Sequence, residues 1–430
     1  MKYFSTNNHN IKVRFKDAVI HGLAPDKGLY FPEEIPQLPQ SFFDNIENLS
    51  DTEIAYTVLQ PFVGDEIPEY ALKEIINETL TFDFPVVKIT EDLYSLELFH
   101  GPTLAFKDVG ARFMSRCLGY FNRNSNENVT VLVATSGDTG GAVANGFLGV
   151  KGVKVVILYP SKRVSDIQEK QLTTLGGNIF ALEVTDTFDT CQAMVKKAFL
   201  DSSLQKYNLT SANSINVARW LPQMIYYFVA YKKLKILQQK VVISCPSGNF
   251  GNICAGLLAY KMGLPIEQFI AATNANNTVP RFLETEEYLP SQTVATLSNA
   301  MDVSNPSNFV RILELFHQNV SELKSVFSSY SYNDLQTKKA IQELYSKYDY
   351  VADPHGAVGY LGTQKATIPN SVKVFLETAH PIKFKDTVEQ VIDKELPLPD
   401  DISAIIEKEK KSVVIENYEE LKESLALIYR

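Results

Sequence analysis

Apolar residues along this chain follow two different periods, and the alternation between them predicts the fold. From residue 129 onwards, apolar runs of strand length alternate with segments in which apolar residues recur at helical spacing. This order predicts parallel sheets that are covered by helices on both faces. The predicted strands are Tyr94 to Leu98, Val129 to Ala134, Val153 to Tyr159, Ile179 to Val184, Val241 to Cys245, Phe269 to Thr273 and Val372 to Leu376. The predicted helices include Ala142 to Leu148, Phe188 to Leu200 and one long buried helix from Asn216 to Leu237.

The two ends of the chain have a different pattern. Residues 1 to about 85 alternate short helical patterns with proline-bearing loops, which predicts an α-rich N-terminal domain. The stretch from Gly22 to Pro32 has glycine or proline residues every few positions and is interpreted as a connector within this domain. The segment from Phe384 to Arg430 is typical of ordinary C-terminal helices. The expected fold class is therefore α/β, with two doubly wound open-sheet lobes after an N-terminal domain.

Composition narrows the functional classes. The chain has 430 residues, of which 45% are hydrophobic and 21% are charged, as expected of a folded protein with several domains. Its formal net charge of -9 provides no basic field for nucleic acid or an anionic membrane, so anions must be bound by local groups. No apolar targeting segment or membrane-length stretch is expected. Four cysteines without a C-x-x-C pair predict free thiols in a reducing cytoplasm and no metal site.

One lysine is distinguished by its position relative to the predicted sheet. Lys107 follows the turn at Gly101 and Pro102, where a predicted strand ends and a helix starting at Asp108 begins. Apolar neighbours and the helix dipole disfavour an ammonium group there, and a neutral amine is the nucleophile that captures carbonyl cofactors. The alternative is a lysine that extends out of an apolar turn and pairs with Asp108.

Two glycine-rich loops follow predicted strands and precede predicted helices. They are Thr135 to Gly141 and Pro246 to Asn252. Backbone amides at a helix N-terminus hold phosphate or carboxylate groups, and open sheets bind ligands at the carboxyl ends of their strands. Neither loop has P-loop or G-x-G-x-x-G spacing, and each alone is also compatible with ordinary turn chemistry. Together with Lys107, the two loops indicate pyridoxal 5'-phosphate and an anionic substrate.

A further candidate lies near the end of the last predicted strand. The hydroxyl of Thr378 is expected either in the same crevice or as a cap before the turn at Pro381. His380 is a candidate base, but a histidine beside a proline is more often structural. His355 is interpreted in the same way, within a segment that looks like a glycine-assisted helix start.

These motifs together resemble the threonine synthases of the bacterial and fungal branch, a family of fold type II pyridoxal-phosphate enzymes. The resemblance spans nearly the whole chain, and its lysine motif is the most specific part. It is carried by Gly-Leu-Ala-Pro-Asp at 22–26, Glu-Leu-Phe-His-Gly-Pro-Thr-Leu-Ala-Phe-Lys-Asp at 97–108, Ala-Thr-Ser-Gly-Asp-Thr-Gly at 134–140, Asn-Ser-Ile-Asn at 213–216, Ser-Gly-Asn-Phe-Gly-Asn at 247–252 and Thr-Ala-His-Pro at 378–381.

The resemblance implies a tryptophan synthase β-like architecture. Its expected parts are an N-terminal domain of residues 1–85, a large cofactor-binding domain of residues 86–110 and 211–430, and a smaller, mobile substrate-side domain of residues 111–210.

The resemblance also implies roles for individual residues. Lys107 would hold the cofactor as a Schiff base, and Thr378 would face its pyridine nitrogen. The cofactor phosphate would be held by Gly248, Asn249, Phe250, Gly251 and Asn252. The substrate side would comprise Thr135, Ser136, Gly137 and Thr139, with Asn213, Ser214, Asn216 and Arg219 as weaker candidates. Asp138 replaces an asparagine common in the wider fold group, and no ligand contact is expected from it because its charge repels a carboxylate.

The implied reaction converts O-phospho-L-homoserine and water into L-threonine and phosphate, the last step of threonine biosynthesis. It proceeds by γ-elimination and β-addition of water, with the Lys107 amine as a base. Two alternatives stay open: a pyridoxal-phosphate-dependent serine or threonine dehydratase on the same fold, and a nucleotide-dependent oxidoreductase or binding protein on a doubly wound sheet. The pattern does not distinguish a monomer from a homodimer. It also leaves open whether residues 318–350 cover the active site or only lie on the surface of the protein.

Overall fold

The structure, a computed structural model, describes residues 1–124 and 128–429, which form three sheets surrounded by helices. The strands are β1 (Lys2–Ser5), β2 (Lys12–Arg14), β3 (Tyr30–Pro32), β4 (Val86–Lys88), β5 (Leu93–Glu97), β6 (Val129–Ala134), β7 (Val153–Pro160), β8 (Ile179–Val184), β9 (Leu209–Thr210), β10 (Lys240–Pro246), β11 (Gln268–Thr273), β12 (Phe327–Ser331), β13 (Ser371–Glu377) and β14 (Ser412–Ile415).

Helices lie between most of these strands. The α-helices are α1 (Phe15–His21), α2 (Gln40–Asn45), α3 (Asp51–Val63), α4 (Glu69–Thr79), α5 (Lys107–Asn122), α6 (Asp138–Phe147), α7 (Asp166–Thr173), α8 (Phe188–Leu200), α9 (Val217–Trp220), α10 (Met224–Leu234), α11 (Gly251–Lys261), α12 (Thr278–Thr285), α13 (Phe309–Leu315), α14 (Val320–Val326), α15 (Asp334–Tyr348), α16 (Pro354–Thr363), α17 (Lys385–Ile392), α18 (Asp400–Ile406) and α19 (Tyr418–Ile428). Short 3-10 turns include Asn299–Met301 and Pro381–Phe384.

The N-terminal region is rich in helices, as predicted, but it also contains a small sheet. β1 lies between β2 and β3 and is antiparallel to both. The stretch interpreted as a connector therefore ends in a strand, which is too short at three residues to show a period. The guanidinium of Arg311 donates to the backbone oxygen of Tyr30 in β3, which ties this region to the rest of the molecule.

The largest sheet has six strands in the order β12-β11-β10-β13-β5-β4. Every neighbouring pair is parallel except β4 and β5. β10, β11 and β13 are almost wholly buried, as expected for strands covered on both faces, and they match the predicted strands to within one residue at each end. Residues 318–350 supply α14, the edge strand β12 and α15 of this unit.

The second parallel sheet has the order β14-β8-β7-β6-β9. β6 and β8 have the predicted bounds, whereas β14 was not predicted. The expectation of helices alone after Phe384 is wrong, because residues 412–415 pair with β8. Residues 412–415 therefore extend the sheet whose other strands lie between residues 129 and 210. Only one of the four β14 residues is buried, and its apolar run, Val413 to Ile415, is three residues long.

The long helix predicted from Asn216 to Leu237 is interrupted. α9 ends at Trp220, a 3-10 turn occupies Leu221–Gln223, and α10 continues from Met224. Pro222 lies in that turn and has no N–H to donate, which accounts for the break. Residues 216–230 are buried as predicted, whereas Ile236 and Leu237 at the end of the segment are exposed.

The cysteines and helices bear on two further expectations. All four cysteines are free and buried, as predicted. In the two described stretches of the chain, the helices are all too short or too polar to cross a membrane.

Candidate active site

Three neighbouring parallel strands bring the predicted cofactor residues to one edge of the six-stranded sheet. β10, β13 and β5 are adjacent, and the segments that follow them contain the loop at 248–252, Thr378 and Lys107. Two backbone hydrogen bonds join the last two segments: Phe106 N–H donates to Thr378 O at 2.9 Å, and His380 N–H donates to Leu104 O at 3.0 Å. The crevice at this edge is where open α/β sheets bind ligands.

Lys107 is the first residue of α5, and its side chain is largely buried. It is 17% exposed, and its Nζ lies 3.9 Å from Asp138 Oδ2. The pKa of Lys107 is lowered to about 8, chiefly by burial; Asp138 opposes this shift, and the charges of Lys383 and Arg219 contribute to it. An amine with this pKa exchanges a proton near neutral pH, which suits both nucleophilic attack and general base catalysis.

The alternative pairing of Lys107 with Asp108 is not present. The Asp108 carboxylate is buried, and it accepts hydrogen bonds from the backbone N–H of Thr103 at 2.9 Å and from the Thr103 hydroxyl at 2.5 Å. Asp108 therefore holds the turn before Lys107.

Asp138 lies inside the site, where no ligand contact was expected from it. Its Oδ1 is 2.6 Å from the Nζ of Lys383, and Gln168 Nε2 donates to the same oxygen at 2.9 Å. Burial acts to raise the pKa of Asp138, but the ammonium groups of Lys383 and Lys107 bring it well below its usual value. The repulsion expected from this aspartate is thus balanced by lysines.

Lys383 was missed in the sequence. It is buried in the turn that follows β13, and its Nζ also donates to Thr103 O at 2.8 Å. The available signal was a lysine between the apolar residues Ile382 and Phe384, two positions after the motif that ends at Pro381.

The loop at 248–252 has the properties of an anion cradle. Phe250 adopts a left-handed conformation with φ of 60° and caps α11. Among the described residues, no protein acceptor is paired with the backbone N–H groups of positions 248–252. The side chains of Asn249 and Asn252 instead brace the loop, by donating to Ser214 Oγ at 2.7 Å and to Pro246 O at 2.8 Å. A Cβ on Gly248 would lie 2.6 Å from Met301 Cα, so only glycine fits there.

The loop after β6 is organised by its first side chain. Thr135 Oγ1 accepts hydrogen bonds from the N–H groups of Gly137 at 3.0 Å and Gly140 at 2.8 Å. Gly137 has φ of 136° and precedes α6, which begins four residues earlier than predicted. In the part of the chain that the structure describes, the backbone N–H groups of Ser136 and Thr139 have no protein acceptor.

The weaker candidates at 213–219 separate into two groups. Ser214 lies against the 248–252 loop through Asn249, and Asn216 caps α9 while its amide donates to Val19 O and Ser211 O. The buried Asn213 Oδ1 and Arg219 Nε have no hydrogen-bond partner among the described residues. Unpaired buried polar atoms of this kind indicate a missing ligand or water.

Behind the cradle lies a buried titratable network that the sequence did not predict. His355 Nδ1 is 2.5 Å from Asp353 Oδ1, and His355 Nε2 accepts from Ala300 N–H at 3.2 Å. His355 therefore donates through Nδ1 and braces the Asn299–Met301 turn that walls Gly248. Burial, and then the charge of Asp353, raise the pKa of Glu377 well above its usual value.

His380 has a structural position. Its Nδ1 accepts from Ile382 N–H at 3.1 Å, and burial, with the nearby His100, lowers its pKa to about 4. It is therefore neutral at physiological pH and acts as a cap.

The residues present fit pyridoxal 5'-phosphate. A largely buried amine of lowered pKa, five unpaired amides at a helix N-terminus and a strand-end threonine lie at one edge of the sheet. The fold and the site define a pyridoxal-phosphate-dependent enzyme of the α/β class. The family described as "Pyridoxal-phosphate dependent enzyme" matches residues 87–377, flanked by "Threonine synthase N terminus" at residues 2–80 and "Threonine synthase, C-terminal" at residues 356–425.

Similar proteins agree over almost the full length. The threonine synthase of Serratia marcescens is 46% identical over 401 residues, which are 93% of this chain and 92% of that protein. The crystal structure of threonine synthase from Escherichia coli has a TM-score of 0.93 and 42% identity over 100% of both chains. The pyridoxal-phosphate-bound threonine synthase from Brucella melitensis has a TM-score of 0.95 and 36% identity, also over 100% of both chains.

The chain belongs to the threonine synthase family. The predicted family, fold class, cofactor and lyase activity are thereby confirmed. The nucleotide-dependent oxidoreductase and the simple binding protein are excluded.

Proposed function

We propose that this site converts O-phospho-L-homoserine and water into L-threonine and phosphate. The observation that carries the proposal is the Lys107 amine, held in a crevice between two loops. In the described part of the chain, the backbone N–H groups at 248–252 in one loop, and those of Ser136 and Thr139 in the other, have no protein acceptor. When bound there, pyridoxal phosphate supplies an electron sink that makes the α and β protons of the substrate acidic.

The cofactor is held by three groups in this proposal. Lys107 bonds to its aldehyde carbon, the amides of residues 248–252 bind its phosphate, and the hydroxyl of Thr378 faces its ring nitrogen. The Thr378 hydroxyl would not hold that nitrogen protonated as a carboxylate would.

Lys107 also moves the protons of the reaction. Once the substrate amine has taken its place on the cofactor carbon, the freed Nζ of Lys107, with a pKa of about 8, would take the proton from the α carbon of the substrate when neutral and return protons when charged. Burial of the amine keeps bulk water from competing for these protons. The phosphate then leaves the γ carbon, and water adds at the β carbon.

The substrate has two anionic ends, which need separate groups. We assign its carboxylate to the backbone N–H groups of Ser136 and Thr139, which flank Gly137 in the loop after β6, and its phosphate to the amide N–H groups of Asn213 and to Arg219. The Nε of Arg219 is buried without a partner in the described chain, and its pKa, lowered by burial to about 10, still keeps it charged at neutral pH. Thr135, Ser214 and Asn216 support the loops through the hydrogen bonds described above.

The test is an absorbance spectrum followed by product analysis. Purified protein should show a near-visible band that borohydride fixes onto the peptide containing Lys107, and O-phosphohomoserine should yield phosphate and threonine in equal amounts. Lys107→Ala should fold, as judged by circular dichroism, and lack both the fixed band and turnover. Retained turnover in that variant would refute the lysine assignment, and a band without phosphate release would favour the dehydratase.

We also propose a cytoplasmic location. Four buried free thiols support a reducing compartment, in which such thiols persist.

A further inference from the structure

A buried ion pair joins the two parallel sheets at the active site. Asp138 begins α6, which follows β6 of the five-stranded sheet, whereas Lys383 lies in the turn after β13 of the six-stranded sheet. Their side chains are 4% and 0% exposed, and the two charged groups are 2.6 Å apart. Burying such a pair costs desolvation energy that its attraction barely repays, so stability alone does not explain it. Its place beside Lys107 points to a role in the chemistry.

We propose that Asp138 and Lys383 are positioning residues that act on the Lys107 amine in opposite directions. The proposal rests on the proposed function, because that function assigns the Lys107 amine to the cofactor. Asp138 Oδ2, at 3.9 Å, attracts the ammonium form of Lys107, and its other oxygen is occupied by Lys383. Lys383 thus keeps Asp138 ionised and at the same time limits how strongly Asp138 can hold Lys107 as an ammonium.

Other titratable groups face this pair from the surrounding elements. Arg219 on α9 favours the neutral form of Lys107, and His355 on α16 lies near Asp138. Gln168 on α7 fixes the orientation of the Asp138 carboxylate through a neutral hydrogen bond. The amine therefore has one anion and two cations as neighbours.

Removing either partner should upset this balance in a different way. Without Asp138, Lys383 and Arg219 repel the Lys107 ammonium, so the amine is neutral but has lost its anchor. Without Lys383, the whole attraction of Asp138 falls on Lys107 and holds it as an ammonium, which is not a nucleophile. An opposite charge at this distance shifts a pKa by about 1–3 units.

The experiment measures the pH dependence of acetylation of Lys107 by acetic anhydride. It uses the full chain freed of cofactor, with mass spectrometry of the peptide that contains Lys107. The midpoint should fall by about 1–3 units in Asp138→Asn and rise by about 1–3 units in Lys383→Gln. Lys385→Gln is the matched control, because Lys385 is 38% exposed and pairs only with Glu389 on its own helix, among the described residues. Its midpoint should equal that of the wild type.

Opposite shifts are the signature that a loss of structure does not produce. Shifts of both variants in the same direction, or no shift in either, would overturn the proposal. If a single variant does not fold, two other measurements decide. The double variant Asp138→Asn/Lys383→Gln removes both charges of the pair and should fold. Its midpoint should lie between those of the two single variants. Where a single variant cannot be measured, the midpoint of the double variant should lie below that of the wild type, because Arg219 remains. In wild-type protein, Lys383 should be acetylated more slowly than Lys107 at every pH; equal rates would contradict the proposal.

The result of the acetylation experiment can be distinguished from the result that tests the proposed function. Borohydride fixation of cofactor on Lys107 tests the function, whereas the direction of the two midpoints tests the pair. Fixation without opposite shifts would reject only the role of Asp138 and Lys383.

Discussion

Replacement of Gly248 by alanine tests whether the 248–252 loop holds the cofactor phosphate. The added Cβ would lie 2.6 Å from Met301 Cα and 3.1 Å from Ala300 O, and both are backbone atoms. Ordinary carbon contacts are about 3.5–4.0 Å, so one of the two segments must move by roughly 1 Å. Gly248 is not in a left-handed conformation, so the substitution tests space and not backbone strain.

The Asn299–Met301 turn cannot move away freely, because His355 accepts a hydrogen bond from the N–H of Ala300. Overpacking of this kind costs about 1–3 kcal/mol. If the 248–252 loop moves instead of the Asn299–Met301 turn, that energy weakens cofactor binding. The dissociation constant of the cofactor should then rise about fivefold to about 150-fold. The assay is titration of pyridoxal phosphate into cofactor-free protein, followed by absorbance, with thermal unfolding measured in parallel.

Gly119→Ala is the matched control. Gly119 lies inside α5, and an added Cβ there meets a movable methyl group of Val150 at 3.2 Å. The control should bind cofactor as the wild type does and gain up to about 1 kcal/mol of stability from helix propensity. A folded Gly248→Ala protein with wild-type affinity for the cofactor would refute the assignment of the cradle.

Three further predictions concern single side chains. His355→Asn keeps a donor for Asp353 but loses the acceptor for Ala300 N–H. Cofactor affinity should therefore fall about threefold to tenfold in the same titration, and His355→Gln should restore part of it. Equal affinity in both variants would contradict this role of His355. Arg219→Met should raise KM for O-phosphohomoserine about tenfold to 150-fold while cofactor affinity is unchanged, and an unaltered KM would remove Arg219 from the phosphate site. Glu377 has a raised folded-state pKa, caused by burial and then by Asp353. Its contribution to stability is complete below the ordinary glutamate pKa of about 4.3 and is lost as the pH rises towards the folded-state value. Urea unfolding should therefore show that the wild type loses stability above about pH 5, whereas Glu377→Gln, which resembles the protonated acid, loses less; identical slopes would show that Glu377 is ionised in the fold.

The strands of the fold could be predicted because most of them are buried on both faces. β6 and β8 are apolar throughout or nearly so, and turn residues mark where they end. β3 and β14 give only a short signal: β3 has three residues, and the apolar run of β14 has three, Val413 to Ile415, in a charged segment. Such strands are defined by the neighbour that they pair with, which a local pattern does not contain.

The loops of the candidate site could be predicted from the sequence, but the contacts between their side chains could not. Lys107, Thr378 and the 248–252 loop follow adjacent strands, so their meeting follows from the sheet order. Lys383 and Asp138 are far apart in the chain, and their contact depends on how the two sheets face each other. A buried charge pair of this kind leaves no periodic trace in the sequence.

The strand order of the second sheet has a consequence for how the protein is made. β14 completes that sheet at the edge of β8, yet residues 412–415 are synthesised long after residues 179–184. Until residue 415 has emerged, β8 presents an unpaired edge of buried apolar residues, which is a template for wrong pairing. The unit that carries Asp138 can therefore complete its sheet only after residue 415 has emerged, although its first strand appears near residue 129. A chain that stopped before residue 412 would have an incomplete sheet prone to aggregation, although it would contain Lys107, Asp138 and Lys383.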